Sequence, residues 1–177
     1  MATDARPLLL PDAGPLITLA YAQALDLLLK PGWAVHIVDM VLHEVTRNRT
    51  PTSTAIAAWV EVNTAVTVLP TRTMAHYLKH QSSAEAATRK SNLGELAVQE
   101  AMTDLALHDP SRTGVFLFED HKIASTGFLL PENCRKVSTR AFLTFLEQRG
   151  WLESAAEVER KAIVRGRVFS QLRFPPA

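Results

Sequence analysis

The feature of this chain that most constrains its fold is a short run, PLLL, which is apolar at every position and ends just before Pro11 and Asp12. An uninterrupted apolar run of this length favours a strand buried on both faces, the usual environment of central strands in parallel sheets. The segment after it, GPLITLAYAQALDLLLK, has apolar residues at helical spacing, and Pro15 suits the first turn of a helix. A buried strand followed at once by a helix predicts an α/β fold.

The same alternation continues along the chain. Further segments have the composition of short strands, and they are AVHIV, VTVLP, GVFLF and CRKVST. Segments with helical spacing lie between them, and NLGELAVQEAMTDLALH is the best marked of these. Strands that alternate with helices predict a parallel sheet built from crossover connections.

Composition limits the classes of function. The chain has 177 residues, of which 47% are hydrophobic and 21% charged, and its net charge is +1, so binding of nucleic acid would depend on local patches. The single cysteine, Cys134, excludes an intrachain disulfide and a multi-thiolate metal site. Because the sequence shows neither a signal peptide nor an apolar run long enough to span a bilayer, we expect a cytoplasmic protein without a membrane partner.

The chain divides into one main domain and a tail. We predict a nuclease-like domain over residues 1–150, with a helical and loop insertion around residues 71–90. Residues 151–177 form a helical basic tail that contains RKAIVRGR. This basic stretch is either a binding arm or a helix end whose cations favour the helix dipole.

Acidic residues occur where the predicted strands end and where helices begin. Asp12 follows the first strand, Asp120 follows GVFLF, and Glu44 and Glu95 lie in the early turns of helices. In open parallel sheets these positions share one edge, so the four carboxylates could converge there. A divalent cation would compensate their mutual repulsion, and oxygen ligands suit Mg²⁺ or Mn²⁺. Such ions can activate water for phosphodiester cleavage.

Each acid also has a simpler interpretation. Asp12 could cap the first helix, and by itself its position fits capping and catalysis equally well. Glu95 could be one arm of a capping box that begins at Asn92. Glu44 could be an exposed helix acid, and Asp120 or its acidic neighbour could cap the next helix. Capping alone does not explain why acids follow both buried strands.

The segments LLLPDAGPLITLA, VDMVLHEVTRN, SNLGELAVQEAM and FLFEDHKIA together resemble the PIN-domain ribonucleases, which include the VapC-like toxins of bacterial toxin–antitoxin pairs. Asp12, Glu44, Glu95 and Asp120 match the acids of that family in order. The resemblance runs over about residues 8–127 and less specifically to residue 146. It implies a three-layer α/β/α sandwich with a central parallel sheet, usually assembled as a homodimer.

The resemblance also implies an activity. It is endonucleolytic cleavage of single-stranded RNA that depends on Mg²⁺ or Mn²⁺, with water as nucleophile and the four acids as catalytic residues and metal ligands. Asn92 and Glu119 are candidates for supporting those ligands. Candidate contacts to RNA phosphates are the basic side chains near this edge: Arg47, Arg49, Arg89, Lys90, His121 and Lys122. A toxin of this kind would also have an antitoxin partner.

Phe118 departs from the family pattern, because many relatives have Ser or Thr two places before the last aspartate. The missing hydroxyl removes a hydrogen bond that would orient Asp120, and Glu119 could share or replace the role of that aspartate. The alternative function is therefore a catalytically inactive PIN-like module that binds RNA or docks a protein. The insertion and the tail make the chain longer than a compact toxin, which argues against a toxin more than against a PIN domain.

Overall fold

The structure is a computed structural model that describes residues 6–80, 92–119 and 130–168. Its centre is a five-stranded sheet in the order β3-β2-β1-β4-β5, with every neighbouring pair parallel. The strands are β1 (Leu8–Pro11), β2 (Ala34–Val38), β3 (Val66–Leu69), β4 (Gly114–Phe118) and β5 (Cys134–Ser138). Helices flank this sheet, so the predicted α/β/α architecture is confirmed.

The helices of the described residues are α1 (Ala13–Ala22), α2 (Asp39–Thr46), α3 (Pro51–Val62), α4 (Arg72–His80), α5 (Leu93–His108), α6 (Thr139–Gln148) and α7 (Ala155–Val164). A short 3₁₀ helix, Leu25–Leu29, follows α1. Helix α1 packs against α3 and α7, and α5 packs against α2 and α4. No helix in residues 6–80, 92–119 or 130–168 has both the length and the apolar character needed to cross a bilayer.

The two central strands are buried at every position. All residues of β1 and β4 are buried, as their uninterrupted apolar sequences predict. Strand β3 lies at one edge of the sheet, and only its first residue, Val66, is buried. In the register of the central pair, Pro11 lies opposite Leu117, so β1 and β4 end at the same level.

The first helix is shorter than predicted. Its spacing predicts a helix that continues to Lys30, but α1 stops at Ala22 because Gln23 adopts a left-handed conformation with φ of 56°. The Gln23 amide donates to the Ala20 carbonyl and the Ala24 amide to the Leu19 carbonyl, which is the Schellman arrangement of a helix end. Glycine usually occupies this position, so the sequence carries no clear signal for the break.

The C-terminal helix belongs to the core of the molecule. Ala155, Val158 and Ala162 of α7 are buried in the same hydrophobic cluster as the central strands. The predicted boundary at residue 151 therefore separates segments that share one core. Within the predicted insertion, residues 72–80 form α4, and residues 81–91 lie outside the described residues.

Candidate functional site

The candidate site lies at the carboxyl ends of β1 and β4. These strands are neighbours, but the chain runs from β1 through β2 to β3 on one side and from β4 to β5 on the other. Such a reversal of strand order opens a crevice at the carboxyl ends of the strands, where α/β proteins bind ligands. Asp12 follows β1 and Glu119 follows β4, and each is only 1% exposed. We call this place the central crevice.

Backbone contacts hold Asp12 in the central crevice. Its amide donates a hydrogen bond of 2.9 Å to the carbonyl of Leu117, the residue opposite Pro11 in the sheet register. Asp12 occupies the N-cap position of α1, yet in this fully described turn its side chain accepts no capping hydrogen bond. The structure therefore does not support helix capping as the role of the Asp12 carboxylate.

Glu119 is held by hydroxyl groups from two other elements. The Thr18 hydroxyl of α1 donates to Glu119 Oε1 at 2.7 Å, and the Thr139 hydroxyl at the start of α6 lies 3.3 Å from the same oxygen. Arg167 Nη2 lies 3.9 Å from this oxygen, while Arg167 Nε donates to the Thr18 hydroxyl at 2.9 Å. A Cβ at Gly14 would collide with the Glu119 side chain, so glycine is required there for the close approach of Glu119 to α1.

The missing hydroxyl at position 118 has a counterpart on the neighbouring strand. Phe118 is completely buried, and its carbonyl accepts a hydrogen bond of 3.0 Å from the Thr139 hydroxyl. The same hydroxyl also reaches the Glu119 carboxylate. A hydroxyl group therefore does lie beside the end of β4, although β5 and α6 supply it rather than β4.

Glu44, another predicted site residue, reaches the amino end of α5. Glu44 Oε1 of α2 accepts a hydrogen bond of 3.0 Å from the Gly94 amide, and Glu95 is the next residue in that first turn. A Cβ at Gly94 would lie 2.5 Å from Glu44 Oε2, so the absence of a side chain allows this contact. Glu44 is therefore not an isolated surface acid, since it faces the positive end of a helix dipole.

The predicted capping box at the start of α5 is wrong. Asn92 adopts a left-handed conformation with φ of 74°, and along residues 92–96 its side chain makes no capping hydrogen bond. Asparagine tolerates this backbone conformation better than most residues do. Asn92 thus acts through its backbone, which turns the chain into α5 so that Gly94 faces Glu44.

The remaining predicted site residues divide into two groups. Arg47 and Arg49 are exposed after α2, where they are accessible to solvent. The others lie outside the described residues, and they are Asp120, Arg89, Lys90, His121 and Lys122. In the described part of the chain, no group of three or more His, Cys, Asp or Glu side chains is arranged to hold a metal ion. The described candidates Asp12, Glu44 and Glu95 supply carboxylate oxygens, the ligand type that Mg²⁺ and Mn²⁺ bind.

A separate cavity of about 260 Å³ lies between α5 and the β2–β3 side of the sheet. His36 of β2 lines it, and among the described residues His36 Nδ1 is buried without a hydrogen-bond partner. Burial, together with the nearby Arg112 cation, lowers the pKa of His36, so its imidazole favours the neutral form. Glu100 also lines the cavity, and although its burial opposes ionisation, hydrogen bonds from Arg72 and Thr73 lower its pKa.

Sequence reasoning missed the side chains that surround Glu119. Thr18 lies inside an apolar helix, and Thr139 follows a short polar strand, so neither has a local pattern that indicates a functional partner. Arg167 lies within the predicted basic tail, where the sequence indicated a binding arm or a helix end. These residues meet only because α1, α6 and the segment after α7 pack around the end of β4.

Comparisons of the chain with protein-family models, with curated proteins and with solved structures find no match. The resemblance to PIN-domain ribonucleases therefore rests on the residues of this chain and on their order.

Proposed function

We propose that this protein is a Mg²⁺- or Mn²⁺-dependent endoribonuclease that hydrolyses phosphodiester bonds of single-stranded RNA. The observation that supports this most is the pair of buried acids, Asp12 and Glu119, at a reversal of strand order in a parallel sheet. Burial of ionisable groups in such a crevice is costly, because they lose their hydration. Buried acids at a ligand-binding crevice are typical of a functional site.

The predicted ligands are acids of the kind that hard cations require. Asp12, Glu44 and Glu95 would hold the ion together with Asp120, and the ion would activate water and stabilise the charge of the reacting phosphate. The protein itself fixes the positions of two of these acids. The backbone bond from Asp12 to Leu117 fixes Asp12 at the strand end, and the Gly94 amide holds the carboxylate of Glu44 at the amino end of α5.

Binding of RNA would rely on local charge, because the net charge of the chain is only +1. The exposed Arg47 and Arg49 follow the helix that carries Glu44, so they can reach a phosphate backbone next to the acids. Arg89, Lys90, His121 and Lys122 remain candidates for the same role. We further propose a cytoplasmic homodimer, with a small antitoxin protein as partner if the ribonuclease is a toxin.

The test is cleavage of a fluorescent single-stranded RNA by the purified protein with Mg²⁺, with Mn²⁺ and with a chelator. Asp12→Asn is compared with Asp109→Asn, an equivalent change of a carboxylate that accepts a local hydrogen bond from the Ser111 hydroxyl. Loss of one essential charged group at a reaction centre costs about 100-fold or more in rate. We expect that loss for Asp12→Asn alone. Equal rates for the two variants, or no cleavage with either metal, would contradict the proposal.

The second candidate function is a catalytically inactive module that binds RNA or docks a protein. Two features favour it: Phe118 lacks a hydroxyl, and the hydroxyls of Thr18 and Thr139 hydrogen-bond to Glu119. These hydrogen bonds give Glu119 a role in holding the fold together. In that case RNA binding would be independent of metal and unaffected by Asp12→Asn. Affinity measured with and without a chelator separates the two functions.

A further inference from the structure

The C-terminal segment brings a positive charge to the buried carboxylate of the central crevice. Arg167 Nη2 lies 3.9 Å from Glu119 Oε1, and the two side chains are 17% and 1% exposed. Arg167 Nε also donates to the hydroxyl of Thr18, which in turn donates to Glu119. Both the charge and the hydrogen-bond donors of Arg167 are therefore directed at the end of β4.

The local sequence explains why Arg167 turns back onto α1. Helix α7 ends at a left-handed glycine, Gly166, with φ of 101°. The amides of Gly166 and Arg167 donate to the carbonyls of Ile163 and Ala162, each at 2.9 Å, which closes the helix end and reverses the chain. Arg165, two residues earlier, donates instead to the backbone carbonyl of Tyr21 at 3.2 Å. Two arginines of one segment thus contact α1, and Arg167 also approaches Glu119 of the central crevice.

A buried carboxylate requires compensation, and Arg167 supplies it. Removing a charge from water is costly unless an opposite charge or hydrogen bonds replace the solvent. Thr18 and Thr139 supply hydrogen bonds to Glu119, and Arg167 supplies the opposite charge. Glu119 follows β4 as Asp12, a predicted metal ligand, follows the neighbouring strand β1, so Arg167 lies where it acts on the charge balance of the central crevice.

We propose that Arg167 is an internal counter-cation of the candidate metal site, and that it and a divalent cation compete to balance the same group of carboxylates. This inference rests on the metal-binding part of the proposed function and is independent of the RNA substrate. A divalent ion near Asp12 would repel the guanidinium group, because like charges at short range destabilise one another. The ion and the C-terminal segment would therefore weaken each other's binding.

Coupling of this kind is reciprocal, and a typical coupling changes affinity by about fivefold or more. Removing the charge of Arg167 should raise the affinity for Mn²⁺ by at least that factor. Adding Mn²⁺ to the unaltered protein should loosen the segment that carries Arg167. The amides of Gly166 and Arg167 report this loosening, because both donate hydrogen bonds only while the end of α7 keeps its turn.

The experiment is calorimetric titration of the full chain with Mn²⁺ in the absence of RNA. Arg167→Gln removes the charge, Arg167→Lys keeps it, and Arg165→Gln removes an equal charge from the same segment at a residue that contacts a backbone carbonyl. We expect about fivefold tighter binding for Arg167→Gln, and binding within about twofold of the unaltered protein for the other two variants. Circular dichroism spectra and melting curves verify that each variant is folded.

The outcomes separate the inference from the function on which it rests. Equal Mn²⁺ affinity for Arg167→Gln and Arg165→Gln would overturn the inference while leaving a metal-binding site in place. The absence of binding in every variant would overturn both. Binding only after Arg167→Gln would support the inference in its strongest form. Should Arg167→Gln fail to fold, faster hydrogen exchange of the Gly166 and Arg167 amides on adding Mn²⁺ to the unaltered protein supports the coupling, and unchanged exchange contradicts it.

Discussion

Two aspartates of this protein directly follow neighbouring parallel strands, yet their surroundings differ. Asp39 follows β2, and its carboxylate accepts hydrogen bonds from the Met40 amide and from both the amide and the hydroxyl of Thr71, between 2.7 and 2.9 Å. These bonds tie the end of β2 to the residue just beyond β3. Asp12 follows β1 and is held by its backbone, while its carboxylate makes no capping bond within the described first turn of α1.

This difference shows that a position at a strand end does not by itself define a functional acid. The hydrogen-bond acceptors of Asp39 are used to fix two strand ends, so its role is structural. Asp12 is buried, and a second buried acid, Glu119, follows the adjacent strand. Variants of Asp12 and Asp39 can test whether the two acids have different roles.

The largest expected effect is a loss of cleavage in Asp12→Asn that Asp39→Asn does not share. Asp12→Asn should lower RNA cleavage by about 100-fold or more. Asp39→Asn should lower the free energy of unfolding by about 1–3 kcal/mol, because an amide cannot accept all three bonds, and should leave cleavage near normal. Urea unfolding and cleavage rates measure the two effects. Loss of activity without loss of stability in Asp39→Asn would contradict the comparison.

Gly94→Ala tests the contact between α2 and α5. Alanine normally stabilises a helix relative to glycine by about 0.5–1 kcal/mol, but here its Cβ would lie 2.5 Å from Glu44 Oε2. We expect a net loss of about 1–2 kcal/mol and at least tenfold slower cleavage, since Glu44 is displaced from the amino end of α5. In a Glu44→Ala background the same change should become stabilising. A double-mutant cycle with no interaction energy would show that the two residues do not touch.

Thr139→Val tests the hydroxyl that lies beside the end of β4. It removes a buried hydroxyl that donates to the Phe118 carbonyl and contacts the Glu119 carboxylate, so we expect a loss of about 1–3 kcal/mol. Thr103→Val is a matched control, because its hydroxyl bonds an exposed helix carbonyl and its loss should cost less than about 0.5 kcal/mol. Thermal unfolding of both variants measures the difference. Equal losses would remove Thr139 from the description of the site.

The smallest expected effect comes from His36, on the other side of the sheet. The pKa of His36 is lowered in the folded protein, whereas in the unfolded chain it keeps its ordinary value of 6.5. As the pH falls below 6.5, the unfolded chain therefore binds more protons than the folded protein does. The contribution of neutral His36 to stability is therefore present above that pH and is lost as the pH falls toward the folded pKa. Replacement by Gln should flatten the pH dependence of unfolding between pH 7 and 5. An unfolding profile whose pH dependence is the same with and without His36 would contradict this prediction.

The sequence predicted the central part of the fold because the physical signal is local there. PLLL and GVFLF are apolar at every position, and only a strand covered on both faces requires that pattern. The end of α1 was not predictable in the same way. Gln23 takes the left-handed conformation that glycine usually takes at a helix end, so the sequence does not mark this position. The order of the strands cannot be predicted from the sequence of single segments either, because it depends on which face of the sheet each helix covers.

The position of Asp12 was predictable for the same reason, because it directly follows a segment that is apolar at every position. The partners of Glu119 carry no such mark, since Thr18 lies 101 residues before it and Arg167 comes from another helix end. Only tertiary packing brings these residues together. A sequence pattern within one segment therefore cannot predict their contacts.

The pairing of β1 with β4 also has a consequence for how the molecule assembles. Leu8 pairs with Gly114, so the middle of the sheet joins parts of the chain that are far apart in sequence. Contacts of this range form slowly, because a long loop must be ordered before they contribute. Until β4 docks, β1 is an open apolar edge that can pair with another chain. The docking that removes this aggregation hazard also brings Glu119 beside Asp12, so folding and formation of the crevice are one event.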